Sequence, residues 1–158
     1  MFNYFPTKED IALHFFELEV DHAIAAVRAN GALRTAPLEE RLFALLEAQF
    51  EYLAPYEGFI GAAFVRALRP ASKLGLSGDA LALRSRYLAF VQELIDDALP
   101  PRHRGWGAAS LAPHAFWIFY MGVLLFWLGD VSPGKEGTLA LVDRSLRLGA
   151  AFLRGEVG

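Results

Sequence analysis

Residues 7–31 read TKEDIALHFFELEVDHAIAAVRANG, and this stretch predicts one long amphipathic helix with a signal at each end. Thr7 is a good N-cap, and the carboxylates of Glu9 and Asp10 lie in the first turn, where the helix dipole favours negative charge. Asn30-Gly31 is typical of a helix C-cap. Steps of three and four residues predict one buried face, made of Ile11, Phe15, Leu18, His22 and Ala25.

Periodicity, together with the positions of proline and glycine, predicts further helices and no strands after residue 31. A second helix starts near Thr35 with Pro37 in its first turn. Arg41 and the other charged residues of this helix are expected to face water. A third helical segment follows Pro55. The apolar stripe of the second helix is Leu38, Leu42, Leu45, Leu46, Phe50 and Leu53.

A loop at 71–77 leads into a fourth helix, and a short basic loop at 102–107 follows it. The fifth predicted helix runs from about Pro113 to Gly129, and Ser132-Pro133 opens the sixth. No internal repeat and no long linker divides the chain. The sequence therefore predicts an all-α fold of about six helices in one domain, which suits a length of 158 residues.

The composition is apolar for a protein of this size, with 54% hydrophobic residues and a mean hydropathy of +0.29. Such a surplus indicates a buried interface, a large apolar pocket or a membrane segment. A net charge of -3 excludes the broad positive field that nucleic-acid binding needs. Cysteine is absent, which excludes disulfides and thiolate chemistry and fits a cytoplasmic location. We expect no signal peptide, because residues 1–10 lack a basic region and a cleavage site.

Residues 2–11, FNYFPTKEDI, carry a more specific pattern. The order of aromatic residues, a short turn and a Thr-Lys-Glu helix cap resembles the TetR-type (tetracycline-repressor-like) family of transcriptional regulators. In that family the pattern marks the end of a recognition helix and the start of a long connecting helix. The resemblance implies that Tyr4 and Lys8 contact DNA phosphates in an intact parent protein. A lysine at a helix N-terminus also suits phosphate on physical grounds.

The resemblance implies two parts of unequal size. Residues 1–6 would be the remnant of the recognition helix and its turn, and residues 7–158 the ligand-binding and dimerisation domain. The remaining helices of the family's DNA-binding domain would lie upstream of Met1. Because a helix-turn-helix reads bases with the front of its recognition helix, we expect this chain alone not to bind an operator. Operator DNA would be contacted only through that N-terminal domain.

The charge-free stretch 106–129 is compatible with a membrane span or with a buried helix. From Pro113 to Gly129 the rise is about 25 Å, short of a hydrocarbon core of about 30 Å, so a helix buried on every side is favoured. Small residues recur along it at helical spacing, as they do on the last helix. The resemblance implies that these two helices form a four-helix bundle with a second copy, whereas tight packing within one monomer is the alternative. The predicted interface is Ala115, Ile118, Gly122, Leu125, Gly129, Val142, Ser145, Leu146 and Gly149.

A small-molecule pocket is the other expectation that the resemblance supports, closed in part by the penultimate helix. Pockets of this kind are mostly apolar with a few polar groups, and this sequence favours a small hydrophobic effector. At each position the alternative is a core residue with a satisfied hydrogen bond. The candidate pocket residues are His22, Phe59, Phe64, Tyr87, Phe90, His114, Trp117 and Tyr120.

Catalytic and metal-binding motifs are sparse, and we expect no cofactor, no metal and no enzymatic activity. Glu19 and His22 have the E-x-x-H spacing of di-iron bundles, but those bundles use it twice. No glycine-rich phosphate loop occurs. The sequence favours the sensing and dimerisation domain of a regulator, in which ligand binding would tilt the first helix. The alternatives are a helical interaction module that binds a partner protein or lipid without controlling DNA, and a membrane-associated protein.

Overall fold

The computed structural model describes residues 7–67, 78–99 and 107–156, and these residues contain six α-helices and no strand. The all-α prediction is confirmed. Tyr4 with the rest of residues 1–6, and the loops at 71–77 and 102–106, lie outside the described residues. The helices are α1 Lys8–Ala29, α2 Leu38–Leu53, α3 Glu57–Ala67, α4 Gly78–Ala98, α5 Gly107–Gly129 and α6 Glu136–Leu153.

Both predicted ends of α1 are confirmed. The backbone N–H of Asp10 donates to the Thr7 hydroxyl at 3.1 Å, and the Thr7 N–H donates back to the Asp10 carboxylate at 2.9 Å. This reciprocal capping box satisfies two N–H groups that a helix start would otherwise leave unpaired. Asn30 is the C-cap, and Lys8 is exposed at the first helical position.

The predicted buried face of α1 is wrong. Ile11 and Leu18 are 49% and 44% exposed, and His22 is exposed as well. The apolar residues of α1 span a wide arc, so spacing alone does not select one side. Packing against α2 selects the side with small residues, because these allow two helix backbones to approach closely. The buried residues are Ala12, Glu19, Val20, Ala23, Ile24 and Val27.

Helix α2 is central, since it contacts α1, α4 and α6. All six residues of its predicted apolar stripe are buried. The helix begins later than expected, after a 3-10 turn at Gly31–Thr35, and Pro37 is its N-cap. Arg41, predicted to face water, is also buried. Its guanidinium is satisfied there, because it donates to the carbonyls of Ala36 and Arg34 at 2.8 and 2.9 Å and pairs with Asp97 of α4.

Helix α5 begins at Gly107, six residues before the predicted start, and Pro113 lies inside it. Proline removes one helical hydrogen bond, but the alanine-rich residues before it favour the helix. The length argument against a membrane span is therefore wrong. Residues 110–129 have the length and apolar composition that a membrane-spanning helix needs, and the core helices of soluble proteins share these properties. One side of α5, including Tyr120 and Trp127, packs in the core of this chain.

The turn between α5 and α6 is held by Lys135, which has a positive φ of 58°. Its ammonium donates to the carbonyls of Trp127 and Asp130 at 2.7 and 2.9 Å and to the Glu57 carboxylate at 2.6 Å. Carbonyls at a helix C-terminus lack helical donors, so a cation there is favourable. These contacts set the last two helices beside each other.

Candidate functional site

A buried polar network connects four helices at the centre of the bundle. Glu19 of α1 accepts hydrogen bonds at one carboxyl oxygen, Oε1, from Gln49 of α2 at 2.8 Å and from Tyr120 of α5 at 2.9 Å. Tyr87 of α4 donates to the Gln49 side-chain oxygen at 2.8 Å. All four side chains are buried, and Glu19 and Gln49 are 0% exposed. The network therefore ties the orientation of α1 to that of α2, α4 and α5.

Burial changes the protonation of this network. Desolvation raises the pKa of Glu19 to about 8, against the opposing effect of the hydrogen bonds from Tyr120 and Gln49. Burial, assisted by the nearby Glu19 carboxyl, holds the pKa values of Tyr87 and Tyr120 well above the usual range of a phenol. Burial therefore favours the neutral form of Glu19 near pH 7, because the charged form is disfavoured away from water.

Glu19 also lines a cavity of about 250 Å³ between α1, α3, α4 and α5. We call it the Glu19 cavity. Its lining is mostly apolar and aromatic, which is typical of small-molecule sites. The lining residues are Leu13, Phe16, Glu19, Val20, Ala63, Phe64, Ala80, Leu81, Arg84, Trp117, Tyr120, Met121 and Leu124.

Two side chains of this lining each hold a buried polar atom that has no hydrogen-bond partner among the described residues. One is Oε2 of Glu19, the carboxyl oxygen that Gln49 and Tyr120 do not use, and the other is Nε of Arg84. The Arg84 guanidinium lies 5.8 Å from the centroid of the Trp117 ring. Because an unsatisfied buried polar atom costs free energy, a ligand atom that reached either of these two atoms would be stabilising.

Three of the eight sequence-predicted pocket residues line the Glu19 cavity, namely Phe64, Trp117 and Tyr120. Tyr87 lies directly behind them. Its ring stacks on Tyr120 at 5.8 Å and meets Trp117 edge-on at 5.5 Å, so it supports two cavity residues without lining the cavity. The structure thus brings these four predicted residues together.

The other four predicted residues lie elsewhere. Phe90 is buried and does not line the Glu19 cavity; the Arg28 guanidinium lies 5.1 Å from the centroid of its ring. Phe59 packs edge-on against Phe15. His22 is exposed beside Tyr52, and His114 is exposed on α5.

Sequence reasoning missed Glu19, Gln49 and Arg84 as site residues. A signal was present for Gln49, which falls on the apolar stripe of α2 between Leu45 and Leu53. Glu19 is a charged residue one position before the buried Val20. It was missed because the predicted buried face of α1 was the wrong one. Arg84 gave no local signal, because an arginine on an amphipathic helix is most often exposed.

The predicted seam on α5 is exposed along its whole length. Ala115, Gly122 and Gly129 are exposed, Ile118 is 68% exposed and Leu125 is 52% exposed. A stripe of apolar and small residues on one side of a helix is unusual for a surface that meets only water. Helix α5 is therefore buried on one side only within this chain.

Helix α6 continues this exposed surface with a slightly different set of residues. Gly149 is exposed and Ser145 is half-buried, whereas Val142 and Leu146 pack in the core of this chain. The face turned outward is Leu141, Ser145, Leu148, Gly149 and Phe152. Together with the α5 seam, these residues form what we call the α5–α6 face.

A second cavity, of about 420 Å³, opens beside the α5–α6 face between α2, α4, α5 and α6. Its lining includes the exposed Leu111 and Phe152, and Ser145 supplies its only polar side chain among the described residues. Such a groove suits apolar side chains of another helix better than a ligand that needs polar recognition.

Glu19 and His22 do not converge on a common point, since one is buried and the other exposed. No group of three or more histidine and carboxylate side chains is close enough to hold a metal ion in the part of the chain that the structure describes.

Comparison with protein-family models matches residues 41–157 to the family described as tetracyclin repressor-like, C-terminal domain. The match covers most of the chain and includes every helix of the Glu19 cavity except α1. Comparison with curated proteins gives no match.

Proposed function

Because the chain belongs to the tetracyclin repressor-like C-terminal domain family, we propose that it is the effector-sensing and dimerisation domain of a transcriptional regulator and has no catalytic role. The observation that carries the sensing part is the Glu19 cavity. It lies between four helices, its lining is mostly apolar and aromatic, and two of its side chains hold a polar atom without a partner in the described part of the chain. A small, mainly hydrophobic effector fits this lining.

The proposed mechanism transmits ligand binding through α1. This helix supplies Leu13, Phe16, Glu19 and Val20 to the cavity, and it begins at Lys8 directly after the segment that resembles the end of a recognition helix. A ligand that contacts these residues favours one position of α1 over another. In an intact regulator this would change the spacing of two DNA-binding heads, with Tyr4 and Lys8 on DNA phosphates.

The α5–α6 face supports homodimerisation. It joins the exposed stripe of α5 to that of α6, and the glycines along it allow close helix approach. We propose that two copies pair through this face as a four-helix bundle. Measurement of the chain's mass in solution by light scattering tests this, and a monomer would favour the alternative that the face binds a different protein.

The sensing proposal is tested with the neutral fluorescent probe N-phenyl-1-naphthylamine. Ala80 lines the Glu19 cavity, so Ala80→Phe should fill part of it and weaken probe binding by about tenfold. Ala82→Phe is the matched control, because Ala82 is exposed on the same helix. Equal probe affinity of the Ala80→Phe and Ala82→Phe variants would contradict the proposal.

A further inference from the structure

We propose that the effector of the Glu19 cavity is an apolar molecule whose polar end is a hydrogen-bond acceptor, such as a carboxylate or carbonyl oxygen. The inference rests on the proposed function, because it concerns the chemistry of the same cavity. It follows from the two unpartnered polar atoms in the lining and from what each can do.

Arg84 supplies a donor that has no acceptor. Its Nε–H is buried and makes no hydrogen bond to the described residues, while its guanidinium lies over the Trp117 ring. A guanidinium nitrogen can only donate. A ligand oxygen beside Nε would therefore satisfy it, and a ligand cation would leave it unsatisfied.

Glu19 supplies the second donor. Oε1 already accepts two hydrogen bonds, from Gln49 and Tyr120, which leaves Oε2 as the place for the carboxyl proton. The raised pKa keeps that proton in place at neutral pH. A protonated carboxyl donates through its O–H group. A hydrogen-bond acceptor on the ligand would therefore also satisfy Glu19.

The charge of the lining agrees with this assignment. Among the described lining residues Arg84 is the only cation and Glu19 the only acid. With Glu19 neutral, the cavity carries a net positive charge, and a cationic ligand would be desolvated beside Arg84 without a counter-charge. An oxygen acceptor is the ligand group that suits both donors.

The affinity of the Glu19 cavity for its effector should change with pH in one direction. Of the groups near Glu19, Gln49 of α2 does not titrate, and burial raises the pKa values of Tyr87 and Tyr120 well above their usual range. Arg84 of α4 is the cation of the described cavity lining. Affinity for an acceptor should therefore be constant below the pKa of Glu19, about 8, and fall as the pH rises through it. Above that value the affinity should fall by up to about tenfold per pH unit. A cationic ligand would show the opposite slope.

The experiment titrates the full chain calorimetrically with octanoate, octan-2-one and octylamine, from about pH 6.5 to about pH 9.5. These probes share a chain length and differ in the polar end, and none of them changes charge in this window. Octanoate and octan-2-one should bind more tightly than octylamine at pH 7. Their affinities should fall above pH 8, with net proton uptake measured in buffers of different ionisation enthalpy.

Two variants test the contributions of Arg84 and Glu19 to binding separately. Arg84→Met should weaken octanoate binding by at least about tenfold. Arg86→Met is its control, because Arg86 is exposed on the same helix and pairs with Asp21 at 2.9 Å. Glu19→Gln keeps a neutral donor at the Oε2 position, so octanoate affinity should persist at pH 7 and lose its fall above pH 8. Circular dichroism establishes that each variant is folded.

Tighter binding of octylamine than of octanoate, with an affinity that rises through pH 8, would overturn the proposed acceptor while leaving the cavity as the ligand site. An octanoate affinity that is unchanged by Arg84→Met and constant with pH would overturn it too. Failure of all three probes to bind would contradict both this inference and the proposed sensing function.

Discussion

Glu19 is the residue at which the structure departs most from an ordinary helical bundle. A carboxyl group that is 0% exposed is costly when it is charged, and its hydrogen bonds with Gln49 and Tyr120 offset only part of that cost. An apolar residue would pack there at no such cost. The presence of an acid in the core therefore supports the proposed ligand-binding role.

Glu19 should make stability depend on pH. The unfolded chain releases this proton near pH 4.5, whereas the folded chain keeps it up to about pH 8. Between these values the folded state binds more protons, so the free energy of unfolding should fall as the pH rises, by up to about 1.4 kcal/mol per pH unit. The loss should be complete above the folded pKa.

The measurement compares the free energy of unfolding in urea for the wild-type chain and for Glu19→Gln across this range. The advantage of the variant should grow from about pH 4.5 to about pH 8 and then stay constant. Glu17→Gln, at a more exposed carboxyl on the same helix, should follow the wild type. Parallel pH curves for the wild type and Glu19→Gln would show that Glu19 is not a buried neutral acid.

At the residue scale the sequence predicted part of the candidate site. Aromatic residues in α5 were identified because a bulky ring in an apolar helix is conspicuous, and Trp117 and Tyr120 do line the cavity. Glu19 was missed because its burial depends on which side of α1 meets α2. A side chain's environment is set by other helices, and spacing within one helix cannot supply it.

Helix α5 has two faces with different roles at the element scale. One packs in the core, and the other carries exposed Ile118 and Leu125 with glycines between them. A Cβ added at Gly122 meets nothing within 4 Å in this chain. A larger side chain there is compatible with the fold of one copy, so any large effect should come from a second copy.

Gly122→Leu should therefore dissociate the proposed dimer without unfolding the chain. Gly58→Leu is the matched control, because Gly58 also lies exposed in a helix and its added Cβ also meets nothing within 4 Å. Both substitutions should gain up to about 1 kcal/mol of helix propensity. Light scattering should give a monomer mass for Gly122→Leu and a dimer mass for Gly58→Leu. A dimer mass for both would place the interface elsewhere.

At the scale of the whole molecule, the proposed dimer couples folding to association. The single chain leaves a continuous apolar surface on α5 and α6, and a second cavity opens beside it. Burial of this surface against a second copy would add hydrophobic stabilisation that neither helix obtains alone. Stability would then include the free energy of association.

The thermal midpoint of the wild-type chain should consequently rise with protein concentration. A dimer that unfolds to separate chains is favoured by mass action, whereas a monomer has a midpoint independent of concentration. The measurement is a melting series followed by circular dichroism over about a hundredfold range of concentration. Gly122→Leu should give a constant midpoint, and a constant midpoint for the wild type would contradict the proposed dimer.

The sequence by itself determined the features that depend on neighbours along the chain. The caps of α1, the buried stripe of α2, the all-α class and the family resemblance all followed from short-range patterns. Tertiary structure decided which face of α1 is buried, that Glu19 meets Gln49 and Tyr120, and that α5 continues through Pro113 with one side exposed. Helical periodicity fixes the relative positions of side chains on one helix, but the direction of each face depends on contacts with distant helices.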